Sequence, residues 1–131
     1  MTAQIAEYFD RIERQLLLSP VVLALQGRER EERLQEGFMR LRATLSNGDL
    51  LEAFEFVALA PAGVQTLTYR IHWQRDDGRL RRRWDNAPHH QEIATFPHRV
   101  HRDVAENVAP SEPMTILQAL ACVERTLPEE A

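Results

Sequence analysis

The chain contains no lysine; all 16 of its basic residues are arginine. It has one cysteine, Cys122. A single thiol excludes an internal disulfide and a cysteine-rich zinc site. Long apolar runs are missing too. The longest candidate, Pro20 to Leu25, falls far short of the roughly 18–20 residues that a membrane helix needs. Glu7 and Asp10 stand near the start, with no basic segment leading into an apolar one. No secretory signal is visible, and a cytoplasmic protein without a membrane partner is expected.

What is present is ordinary for a globular domain. The 131 residues are 44% hydrophobic and 27% charged, which predicts one domain over 1–131. The net charge of −4 argues against a surface that is basic all round. Its distribution says more. Between Arg70 and Arg102 lie eight arginines against four acids (Asp76, Asp77, Asp85, Glu92), and all five histidines. A basic, histidine-rich stretch in an acidic chain is a candidate contact for phosphates or other anions. The plainer alternative is a solvated arginine-rich hairpin. The absence of lysine reads as codon bias.

Helical spacing of Ile5, Tyr8, Phe9, Ile12, Leu16 and Leu17 predicts a helix over 3–18, with Thr2 as its cap and Ser19-Pro20 as its stop. Val21 to Gln26 reads as a short strand, which Arg28 to Gln35 either extends or follows as a turn of helix. Asn47-Gly48 and Asp77-Gly78 predict two hairpins with two-residue type I′ loops. Centring the first loop on Asn47-Gly48 pairs Leu45 with Leu50, Leu41 with Phe54 and Met39 with Phe56 on an apolar face. It leaves Arg40 opposite Glu55 on the other face, and Glu52 on the apolar face opposite Ala43. Centring the second puts Tyr69, Ile71, Trp73, Leu80 and Trp84 on the apolar face. Arg70 with Asp85, His72 with Arg83, and Gln74 with Arg81 then share the polar one. Ala60 to Gly63 links the hairpins. The stretch 86–113, with four prolines, reads as a long ordered loop. Met114 to Leu127 reads as a closing helix capped by Ser111 or Thr115 and stopped by Pro128, with Cys122 buried. The expected fold is α+β: an antiparallel β-meander of two hairpins, with a fifth strand at Val21 to Gln26 if that segment pairs, packed against an N-terminal and a C-terminal helix.

Four histidines, His89, His90, His98 and His101, fall within thirteen positions, just after Arg83, Asp85 and Asn86. Imidazole changes charge near neutral pH, so the cluster points to acid–base chemistry or to a transition-metal site with Asp85 as a further ligand. No HExxH or CxxC motif is present. The alternative is that these rings hydrogen-bond a proline-rich loop to the sheet. The aromatics Trp73, Trp84, Tyr69, Phe54 and Phe56 read as core. Glu52 and Glu55 read as structural carboxylates, Glu55 in an ion pair with Arg40.

The run Arg83-Trp84-Asp85-Asn86-Ala87-Pro88-His89-His90 resembles the TumE family of bacterial toxins from toxin–antitoxin pairs. So do Thr95-Phe96-Pro97-His98, Pro110-Ser111-Glu112-Pro113, Leu45 to Leu50 and Tyr69 to Trp73. The resemblance spans residues 36–123. Arg99 and Val100 depart from it, since the family has a histidine and then a lysine at those places. The resemblance implies a small toxin neutralised by direct binding of a cognate antitoxin, often a helix-turn-helix protein.

Small toxins of this class commonly act on RNA or translation, so RNA is the expected target. The expected reaction is phosphodiester cleavage. One histidine of His89, His90, His98 and His101 would take the 2′-hydroxyl proton and another would protonate the leaving oxygen. Asp85 would orient a ring, and Arg83, Arg81 or Arg99 would stabilise the phosphate charge. No cofactor is required by that scheme, and a divalent metal on the same histidines with Asp85 is the variant of it. The competing expectation is a non-catalytic module whose Arg/His surface docks nucleic acid or an acidic protein. A shared pocket for the rings favours the enzyme; diverging rings favour the module.

Overall fold

The computed structural model describes residues 3–88 and 94–130. Among these described residues a helix, α1 (Ala3–Leu18), leads into seven strands and a closing helix. The strands are β1 (Val22–Glu32), β2 (Glu36–Leu45), β3 (Leu50–Ala60), β4 (Gly63–Gln74), β5 (Leu80–Asp85), β6 (Arg99–Arg102) and β7 (Val108–Pro110), and the helix is α2 (Ile116–Glu130). Every strand pairs antiparallel with the next, in the order β1 to β7. The fold is therefore α+β, a single meander wider than the expected one. Val21 to Gln26 belongs to an edge strand that runs on through Glu32. The 86–113 stretch, read as loop, contains β6 and β7.

The apolar stripe of α1 (Ile5, Phe9, Ile12, Leu16) and that of α2 (Ile116, Leu120, Val123, Leu127) meet one face of the sheet. That inner face supplies Met39, Leu41, Leu45, Leu51, Ala53, Val57, Tyr69, Ile71, Trp73, Trp84 and Val100. Burial of this set is the main stabilising term. α2 opens with a reciprocal capping box. The Gln118 amide donates to Thr115 Oγ1 at 3.2 Å, and the Thr115 amide donates to Gln118 Oε1 at 3.0 Å. The helix continues past Pro128 to Glu130 rather than stopping there.

Both hairpin loops differ from the expected type I′. In each, only the glycine has a positive φ, 93° at Gly48 and 91° at Gly78. Gly48 N–H donates to Leu45 O, and Leu45 N–H donates to Asp49 O. The same pair of bonds recurs at Arg75, Gly78 and Arg79. This is a three-residue loop: a type I turn closed by a glycine in the left-handed region. The Asn47 and Asp77 side chains accept from the amide two residues on, each at 3.0 Å, which holds them in the turn.

The extra loop residue moves the β2–β3 register by one. Arg40 pairs with Phe54, Met39 with Glu55 and Arg42 with Glu52. Every side chain of β3 therefore changes face relative to the expectation. Phe54 and Phe56 leave the core, Glu52 becomes exposed, and Glu55 is fully buried. In the second hairpin a bulge between Trp73 and Gln74 cancels the shift. Arg70 does pair with Asp85 and His72 with Arg83. Gln74 pairs with Leu80 instead of Arg81, and Arg81 turns to Asp49 at 2.6 Å and to the Trp73 ring at 5.4 Å.

Gly37 leaves no room for a side chain between β1 and α1. A Cβ there would sit 2.5 Å from the Glu31 carbonyl oxygen and 3.0 Å from Ile5. Gly37→Ala is expected to cost about 2 kcal/mol, an overpacking cost, in urea unfolding followed by tryptophan fluorescence. An unchanged midpoint would contradict that packing.

Candidate functional site

Both described helices cover the inner face, so the chemistry gathers on the outer one. Strand register places its side chains in two adjacent rows. One runs Arg40, Phe54, Arg70, Asp85, Arg99. The other runs Arg42, Glu52, His72, Arg83, His101. The alternation of β-strands and their pairing bring these residues together although they are spread from Arg40 to His101 in the sequence.

The β5–β6 end of the rows is closed. Asp85 Oδ1 pairs with Arg99 at 2.6 Å and accepts from the Ala87 amide at 3.3 Å. Its Oδ2 lies 3.4 Å from His101 Nε2 and 3.8 Å from Arg83 Nε. Arg99 also donates to the Ala87 carbonyl at 2.6 Å and to His101 Nε2 at 3.2 Å. His101 Nδ1 is 2.7 Å from the Ala105 carbonyl oxygen. Asp85, Arg99 and His101 are all buried. Both ring nitrogens of His101 are engaged by the protein itself.

The β3–β5 part is open. A cavity of about 440 Å³ is lined by Arg40, Glu52, Phe54, Arg70 and His72. A second, of about 370 Å³, is lined by Arg70, Arg83, Asp85 and Arg99. Arg70 borders both. His72 Nε2 is 2.9 Å from Gln74 Oε1, and its buried Nδ1 has no hydrogen-bond partner among the described residues. Burial first, then the nearby Arg83 and Arg70, hold the His72 ring below its ordinary value, so it stands neutral at neutral pH. The Arg83 guanidinium is likewise pulled down, by burial and then by Arg70, as befits a face crowded with positive charge.

The structure does not gather the predicted histidines into one pocket. His98 lies on the inner side, its Nδ1 sharing a 2.7 Å hydrogen bond with the Tyr69 hydroxyl and its ring stacked on Tyr69 at 5.8 Å. Burial pushes that phenol up to about 12. His101 lies on the outer side, so the sheet separates the two rings. His89 and His90 lie outside the described residues. Asp85, Arg83 and Arg99 do share one face, whereas Arg81 does not. His72, given no catalytic role from sequence, is the imidazole beside the open cavities; its pairing with Arg83 was the signal that marked it. Among the described residues, no group of three or more His, Cys, Asp or Glu is arranged to hold a metal ion, and no helix is long and apolar enough to cross a membrane.

A buried carboxylate lies on the inner face. Glu55 accepts from the Tyr8 hydroxyl, from Thr66 Oγ1 at 3.2 Å and from the Ile116 amide at 2.8 Å. It thus ties α1, β4 and the first turn of α2 to β3, and it replaces the expected surface pair with Arg40.

Comparison with known families matches residues 10–129 to a family model described as toxin TumE. Neither a curated protein nor a solved structure matches the chain.

Proposed function

We propose, for a chain that belongs to the TumE toxin family and is therefore the toxin component of a toxin–antitoxin pair, that its target is RNA engaged on the outer face of the sheet. One observation carries the reading: four arginines that reach the surface (Arg40, Arg42, Arg70, Arg83) against one exposed carboxylate (Glu52) occupy two adjacent cross-strand rows, the fifth arginine, Arg99, being buried on Asp85. Guanidinium forks suit phosphate oxygens. The cognate antitoxin implied by the family would neutralise the toxin by direct binding.

Within this reading the reaction is histidine-dependent phosphodiester cleavage. His72 is a neutral imidazole, the form a general base needs. Because its Nδ1 is buried, it takes the ribose 2′-hydroxyl proton at Nε2, with the ring proton on Nδ1 and substrate in place of the Gln74 side chain. Arg70 and Arg83 flank His72 and supply charge to the phosphate. Asp85 acts by holding Arg99 and His101 in place. The second reading, binding without cleavage, draws support from the separation of His98 and His101 by the sheet.

Purified protein with labelled RNA, with and without chelator, tests both. The cleavage reading expects product that His72→Ala reduces by about 100-fold. It also expects a pH profile whose acid limb lies below the ordinary histidine value of 6.5, because the ring's proton affinity is lowered. Arg70→Ala is expected to flatten the slope of log affinity against log salt by about 0.7–1, one phosphate contact. Retained RNA binding with no cleavage selects the second reading. Alanine changes at His89, His98 and His101, scored by growth inhibition without antitoxin, assign the remaining proton transfer. RNA affinity that Arg70→Ala and Arg83→Ala leave untouched would remove the outer face from either scheme.

A further inference from the structure

We propose that Phe54 and Glu52 form a nucleobase subsite on the outer face, and that it selects guanine in single-stranded RNA. The inference deepens the RNA reading and rests on it. Phe54 is half-buried in the floor of the 440 Å³ cavity, and its ring meets Phe38 at 6.1 Å, tilted by 30°. This makes an aromatic platform in the middle of a sheet whose flanking residues are arginines. Successive bases stack on such platforms while the backbone follows the cations. A duplex hides its base faces, so the arrangement suits single strands.

The Arg40 guanidinium lies over the Phe54 ring at 5.1 Å, where a stacked base would lie. Arg40 is 62% exposed, and the one ion pair it makes among the described residues, with Glu29 at 3.5 Å, is equally exposed. Such a contact is weak. A base can therefore replace the planar cation on the ring and release Arg40 to a phosphate, with Arg70 on the opposite flank.

Glu52 supplies the selection. It stands two residues from Phe54 on the same face, about 6.5–7 Å along the strand. It is exposed, and no ion pair within 4 Å engages it among the described residues. A free carboxylate on a cationic surface has two acceptor oxygens and no donor. The base edge that matches it presents two adjacent N–H donors. Guanine does so with N1–H and the N2 amino group. Adenine and cytosine each offer an amino group beside an acceptor, and uracil offers one N–H between two acceptors.

The probes are fluorescein-labelled 2′-O-methyl pentamers, which resist cleavage: UUGUU, UUAUU, UUCUU, UUUUU, and the inosine analogue lacking the N2 amino group. Anisotropy titrations are expected to show UUGUU binding about tenfold tighter than the other three, with inosine between. Glu52→Gln, an isosteric change at an exposed position, is expected to bring all five to within about twofold. Phe54→Ala is expected to weaken every pentamer by about tenfold. Equal affinity for all pentamers in the unmodified chain, or a guanine preference that survives Glu52→Gln, would overturn the subsite while leaving RNA binding intact. A failure of every pentamer to bind would overturn the RNA reading itself, and the subsite with it.

Discussion

Asp85→Ala is expected to destabilise the protein by about 3–5 kcal/mol. The carboxylate is buried and neutralises a buried arginine, Arg99, at 2.6 Å. It also accepts the Ala87 amide. Taking it away strands a guanidinium charge out of water, which costs far more than the loss of an exposed pair. Urea unfolding reads the effect directly, because Trp84 is buried one residue away on β5. The same variant is expected to lose toxicity in cells through loss of folded protein, given that a domain of this size has a total stability of only about 5–15 kcal/mol. If Asp85→Ala unfolds within about 1 kcal/mol of the unmodified chain, the network does not hold this end of the sheet together.

Glu55→Ala is the second large change. It leaves the Tyr8 hydroxyl, the Thr66 hydroxyl and the Ile116 amide without their acceptor. A buried donor stripped of its partner costs about 1–3 kcal/mol, so a loss of roughly 3 kcal/mol or more is expected. Glu55→Gln separates charge from shape. Burial raises the Glu55 carboxyl above its ordinary value of 4.5 despite the hydrogen bonds, of which Tyr8 is the first, that act the other way. The folded state thus holds this proton more tightly than the unfolded chain. That contribution is complete below 4.5 and is lost as pH rises through the higher folded value. The stability of the unmodified chain relative to Glu55→Gln is therefore expected to fall on going from acid to neutral pH. A difference that stays constant, or that grows with pH, would show that hydrogen bonding and not burial governs this carboxylate.

These two acids show how far local pattern reaches. Asp85 was visible as a chemically loaded residue, since it ends a hairpin with an unambiguous partner in Arg70. Its actual partners, Arg99 and His101, come from a strand of four residues. Arg99-Val100-His101 alternates polar and apolar over only three residues, too few to mark a strand. Burial does not alternate with it, because the outward-facing Arg99 and His101 are themselves buried and bonded to the Ala87 and Ala105 carbonyls. Glu55 was visible only as a surface ion pair. One residue more in the Asn47-Gly48 loop reversed the faces of β3 and turned an exposed acid into the buried hub of the helices. The same reversal placed Phe54 on the open side and created the platform on which the nucleobase proposal stands.

Hydrophobic periodicity sufficed to locate α1, α2 and the four strands of the two hairpins, because helix and strand periods are properties of neighbouring residues. The family, too, was readable from a contiguous run around Asp85 to His90. Tertiary structure alone decided which face each β3 side chain occupies, how the short β6 and β7 extend the sheet, and that His72 rather than a paired His98 and His101 borders the open surface. Those outcomes depend on loop geometry and on pairing between distant strands. A single-residue shift there costs little locally, yet it exchanges every inward side chain for an outward one.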